Sequence, residues 1–354
     1  MLRRTKPWLW IRRVLLALGI VPTVLAVGGA YQAIATARDR RKYLPPGRMV
    51  DVGGHRLHVH VTGEDRGTPT VVLEGGLGFP SVEWAWVQPE VAHFARVVAY
   101  DRAGVAWSEP GPKPRDGHRI AEELHAALHS AGIEGSYVLV GHSFGGLFVR
   151  AFADLYPEEV AGMVLVDSSH PDQLERSPLQ RRAQPRLESM IKVAPFLARL
   201  GVIRLYALRA RWIRELPPKQ AAEMRAFVAL AGFWAAVSAE TAAWEESTGP
   251  QVRRARSLGD MPLAVLTASG TMAYDPVHGE LQTELAALSS NGIHSVVDGA
   301  DHGSIVMSPE YARVVTDFIF RVWNAARTGQ RLAPEDHPNE RSRKEKRWLP
   351  TRSG

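Results

Sequence analysis

A glycine-flanked serine near the middle of the chain constrains the fold more than any other feature of the sequence. Four apolar residues, 137–140, run directly into Gly-His-Ser-Phe-Gly at 141–145, and a helical pattern follows at once. This order predicts a buried strand, a sharp turn and a helix. Such a turn strains the serine backbone and lifts the side chain clear of the sheet. Ser143 is therefore a candidate nucleophile at a helix N-terminus, where partial positive charge favours a developing oxyanion. The alternative is a glycine-rich turn with an incidental serine.

Apolar strands alternate with helical patterns on both sides of this turn. Candidate strands lie at residues 49–52, 56–62, 70–73, 96–100, 160–166, 263–267 and 294–297. The alternation predicts a mostly parallel sheet flanked by helices with right-handed crossovers, which is an α/β fold. Between residues 168 and 260 the alternation stops. That arginine-rich helical stretch is predicted to form a cap over the carboxyl edge of the sheet, with a few of its aromatic side chains lining a pocket.

The charge of the chain is unevenly distributed over its 354 residues, whose net charge is +6. Residues 1–48 carry ten Lys/Arg and one Asp, and residues 328–354 carry seven Lys/Arg and four Asp/Glu, which leaves the body between them at −6. A mildly acidic body with basic ends is not typical of a nucleic-acid-binding protein, so no nucleic-acid partner is predicted. The absence of cysteine excludes disulfides, thiolate metal sites and cysteine nucleophiles. The sequence does not indicate an oligomeric state.

Residues 8–37 are predicted to form a single-pass membrane anchor. Residues 14–37 carry no charge and are long enough to cross about 30 Å of hydrocarbon as a helix. The alternative is a secretory signal, because Arg12 and Arg13 precede the apolar run and residues 35–37 resemble a cleavage site. The length of the uncharged run favours an uncleaved anchor. Five Lys/Arg flank the run on each side, so the side of the membrane is undecided.

The predicted organisation has four parts. These are an anchor and linker at residues 1–48, an α/β core at residues 49–167 and 261–327, a helical cap at residues 168–260 and a disordered basic tail at residues 328–354. The tail is polar, rich in charged residues and contains three prolines. His58 and His60 alternate along one candidate strand. We expect them on its solvated face, because no third metal ligand is apparent nearby.

A serine hydroxyl becomes a good nucleophile only when an oriented base takes its proton. His302 is the predicted base, because it follows a strand in a loop of small residues. The acid is expected between the serine and the histidine in chain order. Asp167 is preferred because it directly follows the strand after the turn, and Asp275 is the alternative on a later loop. Helix capping would be the purely structural explanation for Asp167.

An oxyanion needs two backbone N–H donors. Phe144, the residue after the serine, is predicted to supply one. Gly76 and Gly78 let the loop after strand 70–73 approach closely, so Leu77 is predicted to supply the other. No metal and no organic cofactor is implied.

Together these residues resemble the α/β-hydrolase superfamily, and specifically its cap-bearing serine hydrolases. The resemblance spans residues 49–327 and is carried by Gly75-Gly76-Leu77-Gly78, Asp101-Arg102-Ala103-Gly104, the turn at 141–146, Val164-Leu165-Val166-Asp167 and Asp301-His302-Gly303. It implies an eight-stranded sheet, a Ser–His–acid triad and acyl-enzyme chemistry. Gly75 replaces the histidine of the family, and the acid usual after strand 263–267 is missing. Some relatives place the acid where Asp167 stands.

The predicted function is a serine hydrolase that cleaves a carboxylic ester, or a related acyl bond, of a lipophilic small molecule through an acyl-enzyme on Ser143. The alternatives are other reactions on this scaffold, namely carbon–carbon hydrolysis, aminopeptidase or perhydrolase chemistry, and a non-catalytic membrane-tethered binding protein. Epoxide hydrolases and dehalogenases are disfavoured, because they need a carboxylate at the position of Ser143.

Overall fold

A mostly parallel, eight-stranded sheet forms the centre of the protein, as predicted. The computed structural model describes residues 7–67, 69–254 and 257–333, with the backbone alone for residues 7–18. The strands are β1 (Arg48–Asp51), β2 (Arg56–Thr62), β3 (Thr70–Glu74), β4 (Val97–Tyr100), β5 (Tyr137–His142), β6 (Val160–Val166), β7 (Leu263–Ala268) and β8 (Gly292–Val297). They lie in the order β1-β2-β4-β3-β5-β6-β7-β8. Strand β2 is antiparallel to β1 and β4, and all other neighbours are parallel.

Helices connect the strands and cover both faces of the sheet. They are α1 (Pro7–Lys42), α2 (Val87–Val91), α3 (Gly117–Ser130), α4 (Gly145–Leu155), α5 (Gln173–Arg176), α6 (Pro178–Arg199), α7 (Val202–Ala207), α8 (Pro218–Val228), α9 (Ala231–Ala243), α10 (Gly249–Arg254), α11 (Ser269–Tyr274), α12 (Pro276–Ala286), α13 (Ser304–Met307) and α14 (Pro309–Thr328). Single turns of 3₁₀ helix lie at Ser81–Trp84, Pro157–Glu159 and Trp212–Glu215, and a π turn lies at Trp244–Thr248.

The apolar strands form two core layers because successive side chains of a strand point to opposite faces. On β5, Val138 and Val140 face the layer shared with α14, whereas Tyr137 and Leu139 face the layer shared with α3 and α4. The order of the strands reverses at β3, which lies between β4 and β5. A sheet of this kind has a crevice at the carboxyl ends of the strands beside such a reversal.

Helices α5 to α10, which we call the cap, lie between β6 and β7 in the chain. The cap contacts the loop after β3 directly, since a Cβ on Gly78 would lie 2.2 Å from Cγ2 of Val237 on α9. The φ angle of Gly78 is 67°, which also favours glycine. Its amide donates a hydrogen bond to the Glu240 carboxylate of α9 at 3.1 Å.

A buried arginine after β4 fastens the cap to the sheet. The Arg102 guanidinium donates to both carboxylate oxygens of Glu240, at 2.8 and 3.0 Å, and pairs with Glu74 at the end of β3. It also donates to the carbonyls of Gly75 at 2.8 Å and Gly76 at 2.5 Å. Burial raises the pKa of Glu74 to about 7, against the opposing effect of the arginine. One cation thus joins the cap, the sheet and the loop after β3.

Helix α1 contacts the cap over its second half. Residues 19–27 are exposed, whereas the Gln32 side-chain amide donates to the Ala229 carbonyl at 2.8 Å. Arg204 of α7 pairs with Asp39 at 2.6 Å.

Within the described residues, one helix, Gly19–Lys42, is long and apolar enough by itself to cross a membrane. A bent helix pair in the cap also meets that test when it is counted as one span.

His58 was expected on a solvated strand face, and this is wrong, because the side chain is buried and its Nδ1 lies 2.8 Å from Asp101. Trp107 covers the ring, and the alternation along the strand did not indicate that contact.

The first residues of the predicted C-terminal tail are described by the structure, and there the Leu332 amide donates to the Asn291 side-chain oxygen at 2.9 Å. From residue 334 the tail lies outside the described residues.

We expect Arg102→Met to lower the free energy of unfolding by about 3–5 kcal/mol, because it leaves two buried carboxylates without their counterion. Urea denaturation of the full chain in detergent micelles, followed by circular dichroism, measures the change. Arg313→Met at an exposed position of α14 is the matched control, with an expected change below about 0.5 kcal/mol. Equal unfolding midpoints for the two variants would contradict the role given to Arg102.

Candidate active site

The turn between β5 and α4 holds Ser143 in a strained conformation. Its φ angle of 54° lies in the left-handed region, which residues other than glycine rarely adopt. The Ser143 amide donates to the Val166 carbonyl of β6 at 3.0 Å, which fixes the turn against the sheet. A Cβ on Gly141 would lie 2.6 Å from the Gly145 carbonyl oxygen, and a Cβ on Gly145 would lie 2.5 Å from that of Glu74. Glycine is required at both positions, because residue 141 lies against the backbone of Gly145 and residue 145 lies against the backbone of Glu74.

The structure brings Ser143, His302 and Asp167 together in one chain of hydrogen bonds. The Ser143 Oγ lies 2.9 Å from His302 Nε2, and His302 Nδ1 lies 2.7 Å from Asp167 Oδ2. These three side chains come from the turn after β5, the loop after β8 and the end of β6. A base that contacts the hydroxyl on one side and a carboxylate on the other has the geometry needed to activate a nucleophile.

The Asp167 carboxylate is buried and accepts four hydrogen bonds. Oδ1 accepts from the Ala268 amide at 3.0 Å and from His278 Nε2 at 2.9 Å. Oδ2 accepts from the Thr271 hydroxyl and from His302, both at 2.7 Å. Burial alone would raise the pKa of Asp167, but the histidine hydrogen bonds and charges hold its pKa well below the usual range. The carboxylate therefore stays ionised in mildly acidic solution.

The alternative acid, Asp275, lies elsewhere. Its carboxylate accepts hydrogen bonds from the Ser177 hydroxyl at 2.7 Å and from the Gln180 amide at 3.0 Å, where α6 begins. Asp275 thus joins the cap to the core. Asp167 does not cap a helix, because the next helix begins only at Gln173.

The two predicted oxyanion donors flank the serine. Phe144 follows it in the chain, and a Cβ on Gly76 would lie 3.4 Å from the Ser143 Cβ, so the loop of Leu77 lies beside the nucleophile. Among the described residues, neither the Leu77 nor the Phe144 amide donates a hydrogen bond. The loop is held in place by the Gly76 amide, which donates to the Glu83 carboxylate at 3.0 Å.

Sequence reasoning missed a second histidine–carboxylate pair. His142 Nδ1 bonds to the buried Glu83 carboxylate, and His142 Nε2 donates to the His302 carbonyl at 2.8 Å. Desolvation alone would lower the pKa of His142, but the Glu83 charge and hydrogen bond raise it above the ordinary value. The pair supports the backbone of the loop that carries His302. The histidine within the Gly-His-Ser motif was the available signal, whereas nothing in the sequence indicated Glu83.

Thr271 and His278, which hold Asp167, were also missed. They lie on α11 and α12, whose positions relative to β6 depend on packing between segments more than 100 residues apart.

A cavity of about 380 Å³ opens beside Ser143 beneath the cap. The aromatic residues that line it are Phe79, Tyr206, Trp212, Phe233 and Trp234. The expectation that a few cap aromatics line a pocket is therefore confirmed. Among the described lining residues there is no Asp, Glu, Lys or Arg. A larger groove of about 760 Å³ runs between α6 and α12, contains Asp275 and does not include Ser143.

One group of ligand-type side chains lies outside this site. His125, His129 and Glu159 bring three possible ligand atoms within 4.8 Å of one another. None of the three lines the cavity, so they have no part in chemistry at Ser143.

Part of the chain matches a known protein family. A family profile described as the α/β hydrolase fold matches residues 69–217. A protein of Gibberella zeae named AB hydrolase superfamily protein is 31% identical over 121 residues, which are 32% of this chain and 38% of that protein. A protein of Saccharomyces cerevisiae named as an uncharacterized vacuolar membrane protein is 32% identical over 34% of this chain and 20% of its own length. The chain spans about half or less of the curated relatives it matches.

A solved structure shows the same fold at greater coverage. The thermophilic esterase from Thermogutta terrifontis matches 78% of this chain and 98% of its own, with a TM-score of 0.57 and 21% identity. The family match, the sheet and the turn around the serine agree with one another. The chain has the α/β-hydrolase fold, and residues 69–217 match the profile of that family.

Proposed function

We propose that this protein is a serine hydrolase that cleaves a carboxylic ester, or a related acyl bond, of a lipophilic small molecule. The observation that carries the proposal is the hydrogen-bond chain from the Ser143 hydroxyl through His302 to Asp167, with distances of 2.9 and 2.7 Å. Two free amides lie beside the same hydroxyl. A non-catalytic binding protein has no need of this combination.

The proposed reaction has two halves. His302 Nε2 takes the hydroxyl proton while Ser143 Oγ attacks the substrate carbonyl carbon, and the Leu77 and Phe144 amides stabilise the oxyanion. The intermediate collapses when His302 returns the proton to the leaving alcohol, which gives the acyl-enzyme. Water then attacks the acyl carbon, gives a proton to the same nitrogen, and the acid leaves as Ser143 regains its proton. Asp167 remains ionised and stabilises the imidazolium in both halves.

The cavity supports an uncharged, apolar substrate group. Its described lining has no Asp, Glu, Lys or Arg to pair with an ionised group, and burial of an unpaired charge is costly. An aminopeptidase would need a carboxylate there for the substrate ammonium, so that alternative is disfavoured. Carbon–carbon hydrolysis and perhydrolase chemistry are distinguished from ester hydrolysis by measuring activity on a substrate of each kind.

We also propose that α1 is retained as a membrane anchor. Cleavage after residue 37 would remove Gln32, whose buried amide bonds to Ala229 of the cap, and would leave Arg204 without one of its partners. A removed signal peptide has no need of contacts with the folded body.

Ser143→Ala is expected to abolish covalent labelling by a fluorophosphonate probe and to lower turnover by about 10⁴-fold or more. Gel fluorescence and mass spectrometry of the labelled peptide measure the first effect. Ser290→Ala, at an exposed serine, is the control and should label like the wild type. A folded wild-type protein that does not label would favour the non-catalytic alternative.

The identity of the acid is tested by two matched substitutions. Asp167→Asn is expected to lower kcat by about 10⁴-fold, because the histidine loses its orienting carboxylate. Asp275→Asn should keep kcat within a few-fold of the wild-type value, because that side chain contacts the cap and not His302. If only Asp275→Asn abolished turnover, Asp275 and not Asp167 would be the acid.

A series of nitrophenyl esters with lengthening acyl chains tests the substrate class. We expect kcat/KM to rise by up to about fourfold per methylene until the cavity is full, because each buried methylene contributes about 0.8 kcal/mol. A hemisuccinate ester of similar length is the charged control and should react slowly. A preference for short charged acyl groups would contradict the proposed substrate class.

A further inference from the structure

A group of exposed apolar side chains lies on two helices of the cap. We call it the cap face, and it consists of Met190, Val193, Phe196, Val202, Leu205 and Leu208. These side chains are 45–62% exposed and lie on α6, α7 and the turn after α7. Val296 on β8 and Phe320 on α14 are also exposed, at 42% each, and single exposed apolar residues are ordinary for a protein surface. A cluster of this kind indicates an interaction surface.

Helix α1 leaves the body of the protein at the cap face. A Cβ on Gly28 would lie 2.7 Å from the Leu200 carbonyl oxygen, at the junction of α6 and α7. From that point α1 runs back to Pro7, and the uncharged residues 14–27 would span about 21 Å at 1.5 Å per residue, with Arg12 and Arg13 next along the helix. This is shorter than the roughly 30 Å of hydrocarbon in a bilayer, and arginines near the end of a spanning helix extend the span because their long side chains reach the interface. If α1 crosses a bilayer, the membrane surface lies at the level of Leu200, beside the cap face.

The charges around the cap face suit a lipid surface. Arg199, Arg209 and Arg211 are exposed, and within the described residues they form no ion pair. Free cations at the border of an apolar surface complement anionic headgroups. A surface that pairs with a second protein copy would instead be expected to offer complementary carboxylates at this border.

We propose that the cap face lies in the interfacial region of an anionic lipid bilayer and that substrate enters the cavity from the lipid. The proposal rests on the proposed hydrolase function and adds the source of the substrate. Leu187 and Tyr206, which are themselves 46% and 66% exposed, line the cavity that contains Ser143 and belong to the same two helices. The two helices that carry the cap face therefore also form part of the cavity wall.

The absence of cysteine allows this docking to be measured directly. Phe196→Cys, Val202→Cys, Leu205→Cys and Leu208→Cys are each labelled with a nitroxide in the full chain. The protein is placed in nanodiscs of phosphatidylcholine with phosphatidylglycerol. Power-saturation electron paramagnetic resonance then compares oxygen, which partitions into lipid, with a nickel chelate, which stays in water. Phe320→Cys on α14 is the matched exposed control.

Labels on the cap face are expected to respond to oxygen and to lose their response to the nickel chelate, whereas the Phe320 label should respond to the chelate. Equal chelate accessibility at all five positions would overturn the proposal while leaving α1 as a plain tether. Protection of the cap-face labels in detergent, together with a doubled molecular mass, would also overturn it in favour of a second copy. The measurement is repeated with Ser143→Ala, so it does not depend on catalysis.

A second measurement separates docking from chemistry. The double substitution Leu205→Glu with Leu208→Glu is expected to raise the apparent KM for an ester dissolved in the nanodisc by about tenfold or more, because two carboxylates must leave water. A short water-soluble ester should keep its wild-type kinetics, since neither residue lines the cavity. Phe320→Glu is the control for both substrates. Unchanged kinetics on the bilayer substrate would overturn the docking, whereas a wild-type protein inactive on both esters would overturn the hydrolase function alone.

Discussion

The buried carboxylate of Asp167 is the group on which the rest of the site depends. An ionised carboxylate without partners in the interior would cost several kcal/mol, so the fold must bring donors to it. The four donors come from the end of β7, from α11, from α12 and from the loop after β8. Asp167 itself has a φ angle of 42°, which turns its side chain into this group of donors. Satisfying one charge therefore fixes how the segments around Ser143 assemble.

Some of this arrangement could be predicted from the sequence because its causes are local. The glycines at 141 and 145 are required by backbone contacts within one turn, and that requirement is visible as a motif. His302 and Asp167 each follow an apolar strand, and parallel strands end at one edge, so their proximity follows from topology. Glu83 pairs with a residue 59 positions away, and Arg102 with one 138 positions away. Those contacts arise from packing between segments, which no local pattern records. The prediction for His58 was wrong for the same reason, because its contacts with Asp101 and Trp107 come from other segments of the chain.

The Arg102 network limits how the cap can move. A lid that lifted α9 away from the sheet would separate Glu240 from its cation and break its bond to the Gly78 amide. Opening on that side would thus disturb the loop after β3, which carries Leu77, the proposed oxyanion donor. Helices α6 and α7 take no part in the Arg102 network and present exposed apolar side chains, and Tyr206 of α7 lies at the cavity wall. Substrate passage past Tyr206 leaves the network intact, which favours an entrance on the α6–α7 side.

The contacts between α1 and the cap give this entrance an orientation. A flexible tether would let the body rotate freely above a membrane, and the cavity would face lipid only part of the time. Gln32 and Asp39 instead bind α1 to Ala229 and Arg204, over sequence separations of 197 and 165 residues. The direction of α1 is thereby coupled to the direction of α7. With α1 in a bilayer, as proposed, these contacts would hold α7 and the cavity wall at Tyr206 in one orientation relative to the lipid.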